Sequence, residues 1–453
     1  MAALLNNRLG FANAYDATLR NINARQAKLS QLQENLTSGK RVVRASDDPT
    51  SAAIAERALN RLSRITTDQR TLASQVNSIT QAESTLGDVS DAMQRFRELV
   101  VQAGNASNGA LERRAIAQEL KGLRDQIFAY ANRTDTNGQP LFGALASALA
   151  PLVGPATTAP DYSFNGMPGT DPGSTVTIPF TLDGEAAFMH QPARDLAFNV
   201  GVTNTTDGYI DTSRTLTTSA VTLQGPDPAA SLATVAATAQ AAALDLTDNE
   251  PYPKYTLTFG PVTPDPTNPT YGPSTVSYTI TETPNVSAPG LTSPYTPATP
   301  ITFTPGQQNQ IVINDIPGLT FTITGSPKEN DVITIDAQPS TFSVLDDAIS
   351  GIGEAINNNA ATQAVTQALH NLDIGMGRIN AVRAQAGELL NRAERISANQ
   401  EKRSIQQEAD RSRAEDLDMV KGISDFQNQQ TGYQAALQSY AQIQKLSLFN
   451  YIG

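Results

Sequence analysis

The stretch that decides the fold runs from Asp48 to Ala103 and reads DPTSAAIAERALNRLSRITTDQRTLASQVNSITQAESTLGDVSDAMQRFRELVVQA. Every seventh residue from Ala58 to Val100 is apolar, which predicts one long helix with an apolar seam. Asp48 can cap this helix, and Pro49 fits its first turn. The predicted core of the rod consists of Ile65, Leu72, Ile79, Leu86, Met93, Phe96 and Val100. A lone helix cannot bury such a seam, so the rod needs partner helices from elsewhere in the chain.

The companion positions of the seam are polar at Arg61, Asp68 and Gln75, and they are fully apolar from Ala82 onward. Two interpretations fit these polar positions. They lie at an exposed edge of the seam, or they set the register between helices.

Proline marks the domain boundary, because 25 of the 27 prolines fall between Pro151 and Pro339. Proline breaks helix interiors, so both terminal arms are free to be helical and the middle is not. The middle alternates apolar and hydroxyl residues, which predicts half-buried antiparallel strands at 255–259, 276–280, 319–323 and 332–335. An alanine-rich run from Ser231 to Leu246 is compatible with one short helix. The predicted fold is an α-helical coiled-coil bundle built from both arms, with an inserted, mostly-β (α+β) domain.

We divide the chain accordingly. Residues 1–45 and 410–453 are predicted terminal helices, 46–150 and 341–409 a helical rod domain, and 151–340 a β-rich acidic insert of one or two subdomains. A capping-box pattern at Ser343 and Asp346 predicts where the second arm restarts. The pair Asn137-Gly138 predicts a hairpin turn, after which Leu141-Phe142 is expected to begin sheet structure.

Each terminal helix carries an apolar stripe at heptad spacing, so we expect the first helix to pack along the last. Residues 437–449 present more apolar surface than one partner helix needs, which predicts a contact with other chains. The predicted assembly interface consists of Leu19, Ile22, Leu29, Leu36, Phe426, Tyr433, Leu437, Tyr440, Ile443, Leu446, Leu448 and Phe449.

Composition argues against several classes of function. Cysteine is absent, and the two histidines, His190 and His370, are expected in a loop and on a helix surface. No nucleophile, zinc or phosphate-loop motif is found, so we expect neither an enzyme nor a cofactor or metal site. The sequence contains no run of 18 apolar residues, so no membrane span is predicted. The first residues do not have the pattern of a cleavable signal peptide.

The net charge of −12 is concentrated in the middle of the chain, where residues 151–340 hold 4 basic and 17 acidic residues. The two arms together are close to neutral, with 28 basic and 27 acidic residues. Neutral arms can pack against copies of themselves without strong repulsion, and an acidic insert suits a solvated outer surface. The sequence contains no basic patch, so nucleic-acid binding is not expected.

The arms resemble a known family at three places. Leu36-Thr-Ser-Gly-Lys-Arg-Val42, followed by Ser46-Asp-Asp-Pro49, resembles the N-terminal signature of the bacterial flagellin superfamily. Arg97–Asn105 resembles the end of the long helix of those proteins, and Asp416–Ile452 resembles their C-terminal helix. The order and spacing of these stretches make the resemblance specific.

Within the superfamily the chain resembles the hook-associated members more than the filament flagellins. Pro49, the stretch Gly325–Asp331 followed by the strand Val332–Ile335, and the ending Leu446–Ile452 carry this distinction. At Asn330 the family usually has glycine, and asparagine tolerates a left-handed turn better than most residues.

The resemblance implies a structural subunit of the bacterial flagellum that joins the hook, through another hook-associated protein, to the flagellin filament by helical self-assembly. It implies that the terminal helices form an inner tube. The implied partners are copies of itself, the neighbouring hook-associated protein, flagellin and a flagellar export chaperone. The implied location is extracellular, after type III export without a cleaved signal peptide. The alternatives are a filament flagellin subunit or an extracellular coiled-coil adhesin.

Overall fold

The computed structural model describes residues 2–145, 149–157, 161–169, 171–204, 215–243, 252–269, 272–283 and 293–452. Within these ranges it describes the backbone alone for residues 2–15, 192–193, 242–243 and 443–452.

The helices and strands follow one another in two helical arms with a β-rich segment between them. The helices are α1 (Ala2–Ser38), α2 (Pro49–Ala103), α3 (Ala110–Ala131), α4 (Gly184–Phe188), α5 (Pro192–Asp195), α6 (Pro228–Ala243), α7 (Thr341–Gly353), α8 (Asn358–Glu415) and α9 (Met419–Ile452). The strands are β1 (Leu152–Val153), β2 (Ser163–Phe164), β3 (Phe198–Asn204), β4 (Thr217–Thr218), β5 (Thr222–Leu223), β6 (Lys254–Thr263), β7 (Ser274–Thr283), β8 (Ile301–Phe303), β9 (Gln310–Ile313), β10 (Leu319–Thr324) and β11 (Asp331–Ala337). The predicted fold class is confirmed, since the arms are helical and the proline-rich middle carries the strands.

The chain divides into two compact units. One, here called the terminal unit, comprises residues 1–71 and 395–453, and the other, the central unit, comprises residues 72–394. The long helices α2 and α8 contribute to both units, so these boundaries differ from the divisions expected from the sequence.

In the terminal unit, α1 and α9 pack against each other. The contact is close at Gly422, where an added Cβ would lie 3.2 Å from Leu36 Cδ2. Helix α1 ends because Gly39 adopts a left-handed conformation with φ +69°. The beginning of α2 and the end of α8 complete this unit.

In the central unit, the second half of α2 contacts α8 closely, since an added Cβ at Gly375 would lie 3.4 Å from Met93 Cε. Leu86, Met93 and Phe96 have no exposed surface. Gly353 of α7 approaches α3 so closely that an added Cβ would lie 3.0 Å from the Cβ of Ala117. The polar seam residue Gln75 is buried, and its Oε1 accepts a hydrogen bond of 3.2 Å from the backbone N–H of Ile178.

An aromatic cluster joins the helices of the central unit to the segment that follows α3. Phe342 at the start of α7 contacts Phe128 of α3, Tyr162 and Phe188, with ring centroids 5.2, 5.3 and 5.7 Å apart. Since aromatic side chains bury large areas, this cluster holds Tyr162 and Phe188 against the helices.

The larger sheet is antiparallel and five-stranded, in the order β3-β11-β6-β7-β8. Strand β11 lies between β3 and β6, with Ile335 opposite Val200 on one side and Tyr255 on the other. A second sheet places β10 between β4 and β9, and β5 also pairs with β10. The four strands predicted from alternation all lie inside β6, β7, β10 and β11, and the predicted alanine-rich helix corresponds to α6.

The outer edge of β3 is covered by side chains of α8 instead of by another strand. Gln363 Nε2 and Gln367 Nε2 donate hydrogen bonds of 2.6 and 3.0 Å to the carbonyl oxygen of Val200. Gln367 Oε1 accepts one of 3.1 Å from the N–H of Val200, and Asn371 Nδ2 donates one of 2.9 Å to the carbonyl oxygen of Phe198. The spacing of four residues places these three amides on one face of α8, where they take the place of a neighbouring strand.

Two local predictions are wrong. Leu141-Phe142 does not begin a strand, because this segment makes only isolated bridges, such as the one between Gly143 and Asp183. The second arm restarts at Thr341 with Ser340 as the N-cap, whose side chain accepts a hydrogen bond from the N–H of Ser343. Ser343 and Asp346 do not form the capping box, since Asp346 binds Arg124 at 2.7 Å instead.

Candidate assembly surface

The segment 39–48 fastens the helix ends of the terminal unit together. The N–H of Arg41 donates a hydrogen bond of 2.7 Å to the carbonyl oxygen of Glu415, and the N–H of Leu417 donates one of 2.9 Å to that of Gly39. The guanidinium of Arg41 also reaches Ala414 O at 2.9 Å and Asp48 at 3.3 Å. Lys40 forms an ion pair with Glu415. One short segment therefore contacts the end of α8 and the entry to α9.

Asp48 caps α2, as predicted. Its Oδ1 accepts hydrogen bonds of 3.1 Å from the N–H of Ser51 and 2.7 Å from the hydroxyl of Thr50. Hydrogen bonds from Ser51 and Thr50 hold the pKa of Asp48 well below its usual range. The carboxylate therefore stays charged at the helix N-terminus, where negative charge is favourable.

The residues predicted as assembly interface lie on α1 and α9 and differ in their burial. Ile22 is buried and Leu437 is 40% exposed. The half-buried members are Leu19, Leu29, Leu36, Phe426, Tyr433 and Tyr440. The side chains of Ile443, Leu446, Leu448 and Phe449 lie outside the described part of the structure.

The seven residues predicted as rod core are all buried. Ile65 lies in the terminal unit, and the others lie in the central unit: Leu72, Ile79, Leu86, Met93, Phe96 and Val100. These side chains therefore belong to the interior and not to a surface available to other chains.

An apolar surface that sequence reasoning did not select lies at the beginning of α9. Val420 is 82% exposed, and Met419 and Ile423 are 46% and 47% exposed. Val420 stands outside the heptad that runs through Met419 and Ile423, so the periodic pattern does not select it. The adjacent pair Met419-Val420 directly after Asp418 is the signal that identifies this surface in the sequence.

The terminal unit exposes more large apolar side chains than it buries. Among its described side chains, the large buried apolar ones are Ile22, Val42, Ile65 and Ile396, and the large exposed ones are Val43, Ile54, Leu59, Ile405, Met419, Val420, Ile423 and Leu437. Burying a large apolar side chain contributes about 1.5–3 kcal/mol, so covering several of these would stabilise an assembly substantially. Exposed apolar surface of this kind is typical of a protein–protein contact.

The described residues bring no group of three His, Asp or Glu side chains into an arrangement suited to a metal ion. No helix of the described chain has both the length and the apolar character needed to cross a membrane.

Known proteins match both arms. The profile of the bacterial flagellin N-terminal helical region matches residues 12–146, and that of the bacterial flagellin C-terminal helical region matches residues 363–452. These are the two regions in which the sequence resembles the superfamily.

Several known proteins are similar to parts of this chain. Flagellar hook-associated protein 3 of Escherichia coli (strain K12) is 36% identical over 141 residues, which are 30% of this chain and 44% of that protein. A flagellin of Clostridium tyrobutyricum is 30% identical over 233 residues, which are 49% of this chain and 60% of that protein. The chain thus spans about half the length of the curated relatives that it matches.

The crystal structure of flagellar hook-associated protein 3 from Legionella pneumophila superposes with a TM-score of 0.55 at 22% identity, over 78% of this chain and 97% of that one. At this identity the similarity shows a shared fold. The two terminal helical regions of bacterial flagellin are thus matched in their order along this chain, over residues 12–146 and 363–452.

Proposed function

We propose that the protein is a structural subunit of the bacterial flagellum that joins the hook, through another hook-associated protein, to the flagellin filament. The observation that carries this proposal is helix α9 of the terminal unit, which packs against α1 and still exposes apolar side chains at Met419, Val420, Ile423 and Leu437. Other subunits that cover these side chains would stabilise the unit. Copies of the chain that assemble through their arms supply this cover.

Two observations favour a junction subunit over a filament flagellin. The similar protein from Escherichia coli is named flagellar hook-associated protein 3. In addition, Asn330 adopts a left-handed conformation with φ +65° in the turn before β11, so the turn that resembles hook-associated proteins is retained despite the missing glycine. The filament flagellin remains the second candidate, because a flagellin is also among the relatives.

The proposal includes the route and the partners. The protein leaves the cell through the flagellar export channel without a cleaved signal peptide and contacts the neighbouring hook-associated protein, flagellin and further copies of itself. Before export, a chaperone covers the apolar part of α9. Support for this last step comes from Leu437, which is 40% exposed near the end of the described side chains of α9.

Deletion of the gene in the bacterium that carries it tests the proposal. We expect cells that retain hooks, lack filaments and release flagellin into the medium. Immunogold labelling of flagella from complemented cells should mark a single position between hook and filament. Labelling along the filament would support the flagellin instead, and an unchanged flagellum with label on the cell surface would support an adhesin.

A further inference from the structure

The helices α2 and α8 line an open groove of about 360 Å³ within the terminal unit. Ala58 and Ala414, both buried, form its floor, and Ile54, which is 46% exposed, lies at its rim. Because these side chains are small, space remains between the two helices. A protruding apolar side chain from another molecule therefore fits between them.

The groove carries more positive than negative charge. Arg57, Arg61 and Arg413 line it together with one carboxylate, that of Asp410. Arg413 Nη2 binds Asp410 at 2.7 Å, so this pair is neutralised internally.

The two remaining arginines have no carboxylate partner in the described part of the chain. Arg57 Nε donates a hydrogen bond of 3.0 Å to the carbonyl oxygen of Ala53, and Arg61 Nη1 donates one of 3.4 Å to Gln407 Oε1. Two guanidinium groups beside an exposed isoleucine form a surface suited to an acidic, partly apolar partner.

The complementary surface is the beginning of α9 in the same unit. Val420, at 82% exposure, and Ile423 form its apolar centre, and the exposed carboxylates Asp418 and Asp425 flank them, with one cation at Lys421. Gly422 packs against Leu36 of α1, whereas Val420 and Ile423 are exposed. The apolar centre therefore lies on a face of α9 that α1 does not cover.

We propose that the beginning of α9 of one copy docks into the α2–α8 groove of a neighbouring copy. Val420 lies against Ile54, and the carboxylates of Asp418 and Asp425 face Arg57 and Arg61. The two surfaces differ, so the contact is heterologous and repeats from copy to copy into a ring or a helix. This inference rests on the proposed function, because it requires that copies of the chain assemble side by side.

The absence of cysteine from the chain permits a direct test by disulfide cross-linking. Two differently tagged versions, Ile54→Cys and Val420→Cys, are co-expressed in cells that lack the gene, and the isolated flagella are oxidised. Because each version holds one cysteine, a dimer with both tags can arise only between copies. We expect this dimer as the main product.

The matched control pairs Val420→Cys with Ile405→Cys, which is 64% exposed on α8 but does not line the groove. This pair should give little dimer, and Val420→Cys alone should give none. Equal yields from the two pairs would overturn the proposed contact.

Charge exchange gives a second measure. Arg57→Glu with Arg61→Glu in the Ile54→Cys version should lower the dimer yield about tenfold, and Asp425→Arg in the Val420→Cys version should restore part of it. Failure of this restoration, with both proteins incorporated into flagella, would contradict the charge pairing.

The outcomes separate this inference from the proposed function. Immunogold label at the junction without the mixed dimer would leave the function in place and reject the contact. Label elsewhere in the flagellum would reject the proposed role at the junction. The mixed dimer would still show whether the contact between α9 and the groove forms at that position. Cross-linking of Ile54→Cys to a different flagellar protein would assign the groove to that protein, and failure of the copies to associate would reject both proposals.

Discussion

The residues around Asp347 of α7 stabilise the negative charge of its carboxylate poorly. Burial raises its pKa to about 6, and the nearby carboxylate of Asp161 adds to the effect. Asn199 Nδ2 donates a hydrogen bond of 2.7 Å to Asp347 Oδ2, and the pKa is raised in spite of it. The folded state therefore holds a proton at Asp347 more tightly than the unfolded chain does, and the contribution of Asp347 to stability falls as the pH rises from about 4 to about 6.

We expect Asp347→Asn to stabilise the protein in a pH-dependent manner. Removing the charge should raise the free energy of unfolding by about 2 kcal/mol at pH values well above 6, with little gain as the pH approaches the ordinary aspartate value. Unfolding in urea at pH 5 and pH 8 measures this.

The comparison is made between the variant and the natural chain at each pH, because His190 acts in the opposite direction. Burial lowers the pKa of His190 to about 4, which by itself makes stability rise with pH. His190 lies in the loop expected from the sequence, but it is buried there. Asp91→Asn on the exposed side of α2 is the control, and an equal gain at both pH values would contradict the role of Asp347.

The seam of α2 gives a second prediction at this scale. Leu86 is fully buried, so Leu86→Ala should lower the free energy of unfolding by about 2–5 kcal/mol through lost burial and the remaining cavity. Asp91→Ala, five residues further along the same helix and exposed, should change it by less than about 0.5 kcal/mol. Similar small effects in chemical unfolding would show that the register of the seam is different.

At the scale of the elements, the edge of β3 shows how a helix can complete a sheet. An unpaired edge strand leaves backbone groups free to pair with other chains. Gln363, Gln367 and Asn371 of α8 cover this edge with side-chain amides that donate hydrogen bonds to its carbonyl oxygens, and Gln367 also accepts one from the N–H of Val200. The insert is thereby attached to a long helix of the second arm at fixed positions.

We expect Gln367→Leu to loosen this attachment. The N–H of Val200 loses its acceptor and the carbonyl oxygen of Val200 loses one of its two donors, so backbone hydrogen exchange in β3 should accelerate. Thr366→Ala, on an adjacent exposed position of α8, is the matched control and should leave exchange in β3 unchanged. Equal protection in the two variants would mean that the amide is not needed at this edge.

At the scale of the molecule, the insert is not attached to the helices by its two chain ends alone. Tyr162 donates a hydrogen bond of 2.5 Å to Asp346, and Arg378 donates one of 2.7 Å to the carbonyl oxygen of Ala186. Phe188 packs on Phe342. The first part of the predicted insert, residues 151–204, therefore contributes to the packing of the helical arms in the central unit.

Two deletions separate these contributions. Asn204 and Asp331 lie opposite each other on β3 and β11, so a short glycine-containing turn can replace residues 205–330. We expect this variant to keep the aromatic cluster, to be exported and to attach filaments. Removal of residues 151–340 should instead destabilise the helices, because Phe342 loses Tyr162 and Phe188.

Motility and electron microscopy of complemented cells, with circular dichroism of the purified variants, provide the readout. Filament loss in the shorter deletion, with normal export and helicity, would show that residues 205–330 carry a required contact. Normal helicity in the longer deletion would show that the aromatic cluster is dispensable.

Local patterns in the sequence were sufficient to predict the helical arms, the strands β6, β7, β10 and β11, and the fold class. The heptad from Ala58 to Val100 predicts which face of α2 is buried, because a helix brings residues seven apart to the same side. Alternation does the same for β6, β7, β10 and β11, and proline separates the two regions because it cannot occupy a helix interior. Asn330 shows that even a left-handed turn can be anticipated from the residue type.

Only the tertiary structure decided which elements meet. Strand β11 pairs with β3, which lies more than a hundred residues earlier in the chain, and with β6, which lies nearer in sequence. The cover of β3 by amides of α8 depends on that arrangement. The burial of His190, the partial burial of Asp347 and the exposure of Val420 depend on the tertiary packing around these residues and not on their neighbours in the chain. Periodicity describes one face of one element, whereas pairing, burial and exposed surface depend on which faces the folded chain brings together.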